Sequence, residues 1–294
     1  MNFFRFFLVF FLSSKFVLAS EQPVILASIN PVYQILLAIT EDKTNSHLVI
    51  STNFSEHNFH LKKSDVELVS KADLIFYVDD DLEKYFPKII KNYSSESKSF
   101  KLSAVSNIKL LRKKNNLKKI DGHIWLNPQN AIIIAEFMAR KISEIDQKNS
   151  KKYYKNLEKF KKEISKTEKI IRKRISKIKN SDYVFYHDGY QYFENYFGLK
   201  PLKIMTRDHG VELAVDDVRE LDILAKKHQI KCIFGAAQDE KNSAMKLAQN
   251  YKIKFSILDL IGSVEDYGSD SGENFKGYST LMLNMADDFV DCVS

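Results

Sequence analysis

The sequence lacks several features that common functional classes require. Its nine glycines form no GxGxxG loop of the kind that cradles phosphates, and no HExxH pair of the metalloprotease type is present. The apolar run Phe6 to Leu12 has seven residues, far fewer than the roughly 20 that a membrane-spanning helix needs. These absences argue against a nucleotide-binding enzyme, an HExxH protease and an N-terminal membrane span.

The N-terminal 19 residues have the pattern of a secretory signal peptide rather than that of a short membrane anchor. Arg5 precedes the apolar run, and Val17 and Ala19 stand three and one residues before a break at Ser20. No cysteine lies near Ala19, so a lipid-modified cysteine is not available there. We therefore expect cleavage after residue 19, export from the cytoplasm and no lipid anchor.

The balance of charges is modest for an exported chain of this size. Removal of the leader leaves 43 basic and 38 acidic residues, which gives no reason to expect nucleic-acid binding. One segment, Lys148 to Lys179, holds 14 basic residues and three acidic ones. A polyanion-binding surface is one interpretation of it; the solvated outer face of a helix is the one we favour.

Two cysteines, Cys232 and Cys292, have no second cysteine or histidine at metal-ligand spacing. In an oxidising compartment a disulfide is expected in preference to two free thiols.

Apolar runs rich in β-branched and aromatic residues alternate with longer stretches of helical periodicity. The alternation predicts an α/β protein of two lobes, each with a mainly parallel sheet flanked by helices. Predicted strands are Val24 to Ile29, Leu48 to Thr52, Asp73 to Val78, Tyr183 to Tyr186, Lys231 to Phe234 and Phe255 to Leu258.

A long helix is predicted to join the two lobes. Asn127 and Pro128 form a helix start, and an apolar seam then recurs at three- and four-residue intervals from Leu157 to Ile178. The predicted division is a signal peptide at 1–19, an N-terminal lobe at 20–127, connecting helices at 128–180 and a C-terminal lobe at 181–294.

Three histidines, His57, His123 and His187, follow apolar runs and lie 66 and 64 residues apart. Ligands bind beyond the carboxyl ends of strands in open α/β sheets, and His187 directly follows a predicted strand. His57 comes five residues after the predicted strand ending at Thr52, and His123 stands just before a predicted helix. Neutral imidazoles suit zinc, so the sequence predicts a metal site in the cleft between the lobes.

Two further residues belong near this site. Asp259 directly follows the strand Phe255 to Leu258, at a position where the same rule expects a ligand. His60, three residues after His57, is expected at the rim rather than among the ligands.

Four stretches resemble the metal-binding proteins of bacterial ABC transporters, in particular the high-affinity zinc uptake branch. They are SEHNFHLKKSDVELVSKADLIFYV (Ser55 to Val78), DGHIWLNPQNA (Asp121 to Ala131), FYHDGYQYFENYFGLKPL (Phe185 to Leu202), and KCIFGAAQ with FSILDLIG. They stand in family order and span nearly the whole mature chain.

The resemblance implies that His57, His123 and His187 are metal ligands. Glu56 matches a glutamate that is a fourth ligand in some zinc members, whereas Asp259 matches the aspartate that closes the site in manganese and iron members. The fourth partner is thus Glu56, Asp259 or water. Cys232 and Cys292 match a disulfide of some zinc members.

The resemblance also implies a monomeric periplasmic protein, without enzymatic activity, that captures Zn²⁺ and delivers it to a membrane permease driven by a cytoplasmic ATPase. His187 favours zinc, since manganese and iron members have a carboxylate at that position and imidazole suits zinc better. A Mn²⁺- or Fe²⁺-binding member is the alternative. Affinity should fall as pH drops through roughly 6 to 6.5, where histidine protonates.

The sequence departs from zinc members in the loop before the second ligand. That loop is often rich in histidine and aspartate, whereas Ile108 to Lys119 is rich in lysine and has no histidine. These lysines are expected to repel divalent cations. Ala236 replaces an acidic residue common in the family, and LDLIG stands where LDPLG is usual.

Two functions of other classes compete with metal transport. One is a secreted zinc hydrolase, in which Glu56 acts as base on a metal-bound water. The other is an interaction protein that uses its basic helix, which predicts polyanion binding that is lost at high salt.

Overall fold

The chain folds into two parallel sheets with helices packed around them in this computed structural model. The structure describes residues 22–41, 43–50, 62–94, 98–114, 116–178, 181–206, 213–236, 241–262 and 277–294. Statements below about structure refer to these ranges. Within them, no helix is both long enough and apolar enough to cross a membrane.

The first part of the chain alternates short strands with helices and ends in a hairpin. Its elements are β1 Val24–Ala27, α1 Asn30–Thr40, β2 Asn45–Leu48, α2 Lys63–Lys71, β3 Leu74–Tyr77, α3 Phe86–Tyr93, β4 Ser99–Lys101, β5 Arg112–Lys113 and β6 Asn116–Ile120. Strands β1 to β4 form a parallel sheet in the order β2-β1-β3-β4. The carboxyl ends of all four strands therefore lie at one edge.

The second part of the chain builds a sheet of the same topology. Its elements are β7 Asp182–His187, α6 Gln191–Phe197, β8 Lys203–Thr206, α7 Val215–Lys227, β9 Ile230–Ala236, α8 Lys241–Tyr251, β10 Lys254–Leu258 and α9 Tyr278–Val293. Strands β7 to β10 pair in parallel in the order β10-β9-β7-β8. In both sheets the first strand lies between the second and the third, so each has a switch point where ligands bind in open α/β folds.

Two helices, α4 Pro128–Ile145 and α5 Ser150–Ile175, connect the sheets. The Asn127 side chain accepts a hydrogen bond from the backbone N–H of Gln129 at 2.9 Å, which confirms the predicted helix start. The predicted seam of α5 is also confirmed, because Leu157, Phe160, Ile164, Ile171 and Ile175 are buried. Most lysines of α5 face outward.

Helix α5 contacts helices that belong to both halves of the chain. The Asn156 amide donates to the carbonyl of Ile39 in α1 at 2.9 Å. At the other end, Arg174 forms an ion pair with Asp287 of α9 at 2.6 Å. These contacts place one continuous 26-residue helix against both halves.

A disulfide joins Cys232 in the middle of β9 to Cys292 near the end of α9. It confirms the predicted pairing and fastens the C-terminal helix to the second sheet. Its closed loop spans 60 residues, which is long enough for the crosslink to constrain the unfolded chain substantially.

One predicted strand is shifted. Leu48 to Thr52 was expected to be extended, but β2 runs from Asn45 to Leu48, so His57 follows the strand by nine residues rather than five. The strand is polar because it forms the edge of its sheet, while the apolar Val49 and Ile50 lie buried just after it. Their N–H groups still bond to the carbonyls of Ala27 and Ser28, which keeps the chain along the sheet edge.

Candidate metal centre

His187 is the last residue of β7, a central strand of the second sheet, and its side chain is buried. Its ring packs against Gly189, where an added Cβ would lie 3.0 Å from the His187 Cδ2 atom and 2.8 Å from Leu260. Because Gly189 has no side chain, it leaves room for the His187 imidazole. This is the position at which the topology predicts a ligand-binding side chain.

His123 lies in the link between β6 and the 3₁₀ helix Ile124–Leu126 that leads into α4. It is also buried. Asp121 binds it twice, because one carboxylate oxygen lies 2.7 Å from the ring Nδ1 and accepts the backbone N–H at 3.1 Å. An ionised carboxylate can only accept, so Nδ1 carries the proton and Nε2 keeps the lone pair that can coordinate a metal.

Asp121 is itself held in place from the second half of the chain. Its other oxygen accepts a hydrogen bond from the Gln191 amide of α6 at 3.0 Å. Burial of this carboxyl favours the neutral form, but its interactions with His123, including two hydrogen bonds, outweigh burial and hold the pKa of Asp121 below its ordinary value. Asp121 is therefore the ionised partner that fixes the tautomer of His123.

The two imidazoles meet although they lie 64 residues apart in the chain. Their ring centroids are 6.1 Å apart and their planes are inclined by 71°. Two imidazoles on one zinc ion, with bonds of about 2 Å, have centroids roughly 5 to 6 Å apart. The 6.1 Å separation of His123 and His187 lies just beyond this range, so a small inward movement of the rings would let both bind one ion.

Glu56, His57 and His60 lie outside the described residues, so their roles stay predictions. Within the described ranges, no group of three His, Cys, Asp or Glu side chains is placed to hold a metal ion. Ile50 is the last described residue before Glu56 and His57 in the sequence, and its N–H bonds to the carbonyl of Ser28, just beyond the carboxyl end of β1.

Asp259 follows β10 at the carboxyl edge of the second sheet and is buried. One of its oxygens accepts the backbone N–H groups of Ile261 and Gly262 at 3.0 and 2.9 Å. Next to it, the Leu260 carbonyl accepts the indole N–H of Trp125 at 2.9 Å. This bond ties the segment around Asp259 to the one that carries His123.

Two more buried carboxylates lie beside His187. Asp188 and Glu194 have side chains that are 7% and 6% exposed, and the Lys114 ammonium lies 3.4 Å from each. Burial raises the pKa of Glu194 to about 7, although Lys114 acts in the opposite direction. The lysines of this loop are expected to repel cations, but Lys114 differs from the others because its charge is paired with two carboxylates.

The fold and this centre together define a class of protein: a two-sheet α/β binding protein with imidazoles converging between the sheets. A family model described as the periplasmic component A of the zinc-uptake complex, ZnuA, matches residues 25–292. The chain belongs to this family, and the resemblance found in its sequence is confirmed.

Similar proteins agree with this assignment. The high-affinity zinc uptake system protein ZnuA of Brucella suis is 23% identical over an alignment 318 residues long, gaps included. The alignment covers 94% of this chain and 93% of the relative. The protein of the same description from Buchnera aphidicola is 26% identical over 295 residues, which cover 92% of this chain and 89% of the relative.

Solved structures show the same fold. A crystal structure of ZnuA has a TM-score of 0.79 at 19% identity and covers 93% of this chain and 100% of its own. Zn(II)-bound AdcA from Streptococcus pneumoniae has a TM-score of 0.74 at 21% identity, covering 93% of this chain and 58% of that one. The Cd-bound periplasmic metal binding protein from Candidatus Liberibacter asiaticus has a TM-score of 0.76 at 19% identity, covering 93% and 100%.

Several participants in this centre were not predicted from the sequence. Asp121 was noted only as part of a motif, and its spacing of two residues from His123 was the available signal. Gly189 and Gln191 also lie within the HDGYQ stretch that carried the resemblance. Lys114 gave no signal, because it is one lysine among many in its loop.

Proposed function

We propose that this protein captures Zn²⁺ in the periplasm, between its two sheets, and hands the ion to the membrane permease of an ABC importer driven by a cytoplasmic ATPase. The observation that carries the proposal is the pair of buried imidazoles, His123 and His187, which meet with centroids 6.1 Å apart. Membership of the zinc-uptake family supports the same conclusion. The protein acts as a monomer and catalyses no reaction.

The proposed ligands are His57, His123 and His187, with Glu56 as the fourth. Three imidazoles and one carboxylate give the four-coordinate, nitrogen-rich set that zinc favours over manganese. Asp121 is outside this set and orients His123. Asp259 is the alternative fourth ligand, although one of its oxygens already accepts two backbone N–H groups.

The division of the chain is part of the proposal. Residues 1–19 are a signal peptide that is removed without lipid attachment, 20–127 and 181–294 form the two lobes, and 128–180 connect them. This division is supported by the positions of α4 and α5, which separate the strands of the first sheet from those of the second.

Metal analysis of protein purified without chelator tests the proposal. We expect one zinc per chain in the wild type and a large loss of zinc in His57→Ala, His123→Ala and His187→Ala. His228→Ala is the matched control, because His228 lies exposed at the end of α7, where it pairs with Asp182 at 3.1 Å. Stoichiometric zinc in His187→Ala would contradict the proposed site.

The fourth ligand and the metal are tested with the same protein. Glu56→Ala should weaken Zn²⁺ binding more than Asp259→Ala does; the reverse order would assign the fourth position to Asp259. Competition between Zn²⁺ and Mn²⁺ should favour Zn²⁺ strongly, and preference for Mn²⁺ would support the manganese alternative.

A zinc hydrolase is separated from a transport protein by a deletion strain. Loss of the gene should abolish high-affinity zinc uptake, and excess zinc in the medium should restore growth. If uptake is unchanged while a hydrolase activity disappears, the protein is an enzyme instead.

A further inference from the structure

The β5–β6 hairpin reaches across to α6, the helix that follows His187. The Gln191 amide donates to the carbonyl of Arg112 at 3.1 Å, and the Leu111 N–H donates to the Tyr192 hydroxyl at 2.9 Å. These bonds fix the backbone on one side of Lys114, which directly follows β5. The backbone that leads to Lys114 is therefore held against α6.

Lys114 lies beside two buried carboxylates, Asp188 and Glu194, whose burial would be costly without a compensating charge. Its Nζ atom lies 3.4 Å from an oxygen of Asp188 and 3.4 Å from an oxygen of Glu194, and both side chains are almost fully buried. Among the described residues, the other oxygen of Glu194 is buried with no hydrogen-bond partner. A buried carboxylate needs a nearby positive charge, and here Lys114 is placed to supply it to two.

The location of this cluster matters because Asp188 is the next residue after His187. Carboxylate oxygens are the ligands that hard ions such as Mn²⁺ prefer, whereas imidazole suits Zn²⁺. A carboxylate released beside the site would add negative charge and an oxygen donor where a nitrogen-rich set is proposed. The ammonium holds that carboxylate by an ion pair.

We propose that Lys114 is a specificity-determining residue: it engages Asp188 and Glu194 so that these carboxylates neither coordinate the captured ion nor add their full charge to its site. The inference rests on the proposed function as a metal-binding protein. It assigns to one lysine of the basic loop a role in choosing the metal and in keeping affinity low enough for release.

Lys114→Met tests this role, because methionine keeps much of the length and removes the charge. Loss of one positive charge near a divalent ion should tighten binding by about threefold to thirtyfold, depending on their separation and the local dielectric. We expect dissociation constants for both Zn²⁺ and Mn²⁺ to fall, measured by competition with a chelating dye at pH 8. The gain should be larger for Mn²⁺, so the preference for Zn²⁺ over Mn²⁺ should fall at least threefold.

Matched variants keep the test decisive. Lys118→Met removes an equal charge from an exposed position on β6 and should change neither constant by more than twofold. Lys114→Arg should retain the wild-type preference. Lys114→Met combined with Asp188→Asn and Glu194→Gln should restore the wild-type preference for Zn²⁺, because neither side chain then carries a carboxylate that could reach the ion.

The outcomes separate this inference from the proposed function. If the wild type binds no zinc, the proposed function fails. If the wild type binds zinc and Lys114→Met has the wild-type preference or binds Mn²⁺ more weakly, the inference is wrong. If Lys114→Met does not fold, Lys114→Gln is measured instead: a preference for Zn²⁺ that falls at least threefold supports the role, and the wild-type preference overturns it.

Discussion

At the scale of single residues, the centre depends on how each imidazole is held. His187 is positioned by the end of a strand and by the space over Gly189, whereas His123 is positioned by a carboxylate two residues away. The Asp121 carboxylate in turn bonds to Gln191, 70 residues further along the chain. The orientation of one predicted ligand therefore depends on the helix that follows the other.

Substitution of Asp121 by asparagine should weaken zinc binding by about tenfold to a hundredfold, as is typical when the partner of a metal-binding histidine is lost. Asparagine keeps the size and an acceptor oxygen but not the charge that fixes the tautomer. The dissociation constant can be measured by competition with a chelating dye at pH 7.5.

Asp222→Asn provides the control for this experiment. Asp222 lies on α7, where it accepts a hydrogen bond from the Tyr251 hydroxyl at 2.6 Å. The Asp222→Asn variant should bind zinc with the affinity of the wild type. Equal affinities for Asp121→Asn and Asp222→Asn would remove Asp121 from the centre.

At the residue level, the sequence indicated that His123 and His187 come together, and their role as ligands stays a prediction. His123 and His187 were found because they stand beside predicted strands and helices. Lys114 was not, because its proposed role depends on two buried carboxylates, Asp188 and Glu194, which lie 74 and 80 residues further along the chain. A charge run in the sequence does not reveal which of its members will meet a buried partner.

At the scale of elements, apolar strands and helices were predictable and polar edge strands were not. The helices α1, α2, α7 and α8 fall within one or two residues of the ranges that helical periodicity predicts, which are Pro31 to Ile39, Ser64 to Ser70, Asp216 to Lys227 and Lys241 to Tyr251. The strands β4 and β8 and the β5–β6 hairpin were missed, because they are short and lie at edges or outside the sheets. The common strand order of the two sheets is set by pairing between distant segments, which periodicity does not encode.

The turn after β3 contains a buried carboxyl that predicts a pH dependence of stability. Glu83 is 2% exposed, and one of its oxygens accepts the N–H groups of Val78 and Asp79 at 2.6 and 3.0 Å. Burial raises the pKa of Glu83 to about 7, above its ordinary value of 4.5, and the nearby Asp79 charge adds to the shift. Between these values the folded protein holds a proton that the unfolded chain has released.

The free energy of unfolding of the metal-free protein should therefore fall, through Glu83, as pH rises from 4.5 to 7. Glu83→Gln removes this contribution, so the stability of the variant relative to wild type should rise by up to about 3 kcal/mol over that range. Urea unfolding at several pH values measures it. Glu67→Gln, an exposed change on α2, should keep the wild-type slope; a wild-type slope in Glu83→Gln would show that Glu83 does not titrate in this range.

At the scale of the whole molecule, the two sheets are joined by more than the connecting chain. The Asn30 amide donates to the carbonyl of Ile261 at 2.8 Å, and the Tyr278 hydroxyl donates to the carbonyl of Trp125 at 2.5 Å. Together with the contacts of α5 to α1 and α9, these bonds cross between the first and second parts of the chain. They favour small rocking of the lobes over wide hinge closure.

Small-angle scattering should therefore find a radius of gyration that changes on the order of 1 Å or less when zinc binds, since shear between packed helices gives shifts of that size. Lys166→Gly combined with Lys169→Gly should increase the change. Both positions are exposed on α5, and each glycine costs a helix about 1 kcal/mol relative to alanine. Lys166→Ala with Lys169→Ala removes the same charges and keeps the helix stiff, so it should behave as the wild type does. A large change in the radius of gyration of the wild type on zinc binding would mean that α5 does not restrain the lobes. If the glycine and alanine pairs show the same change, the restraint lies in the bonds around Trp125 and Asn30 instead.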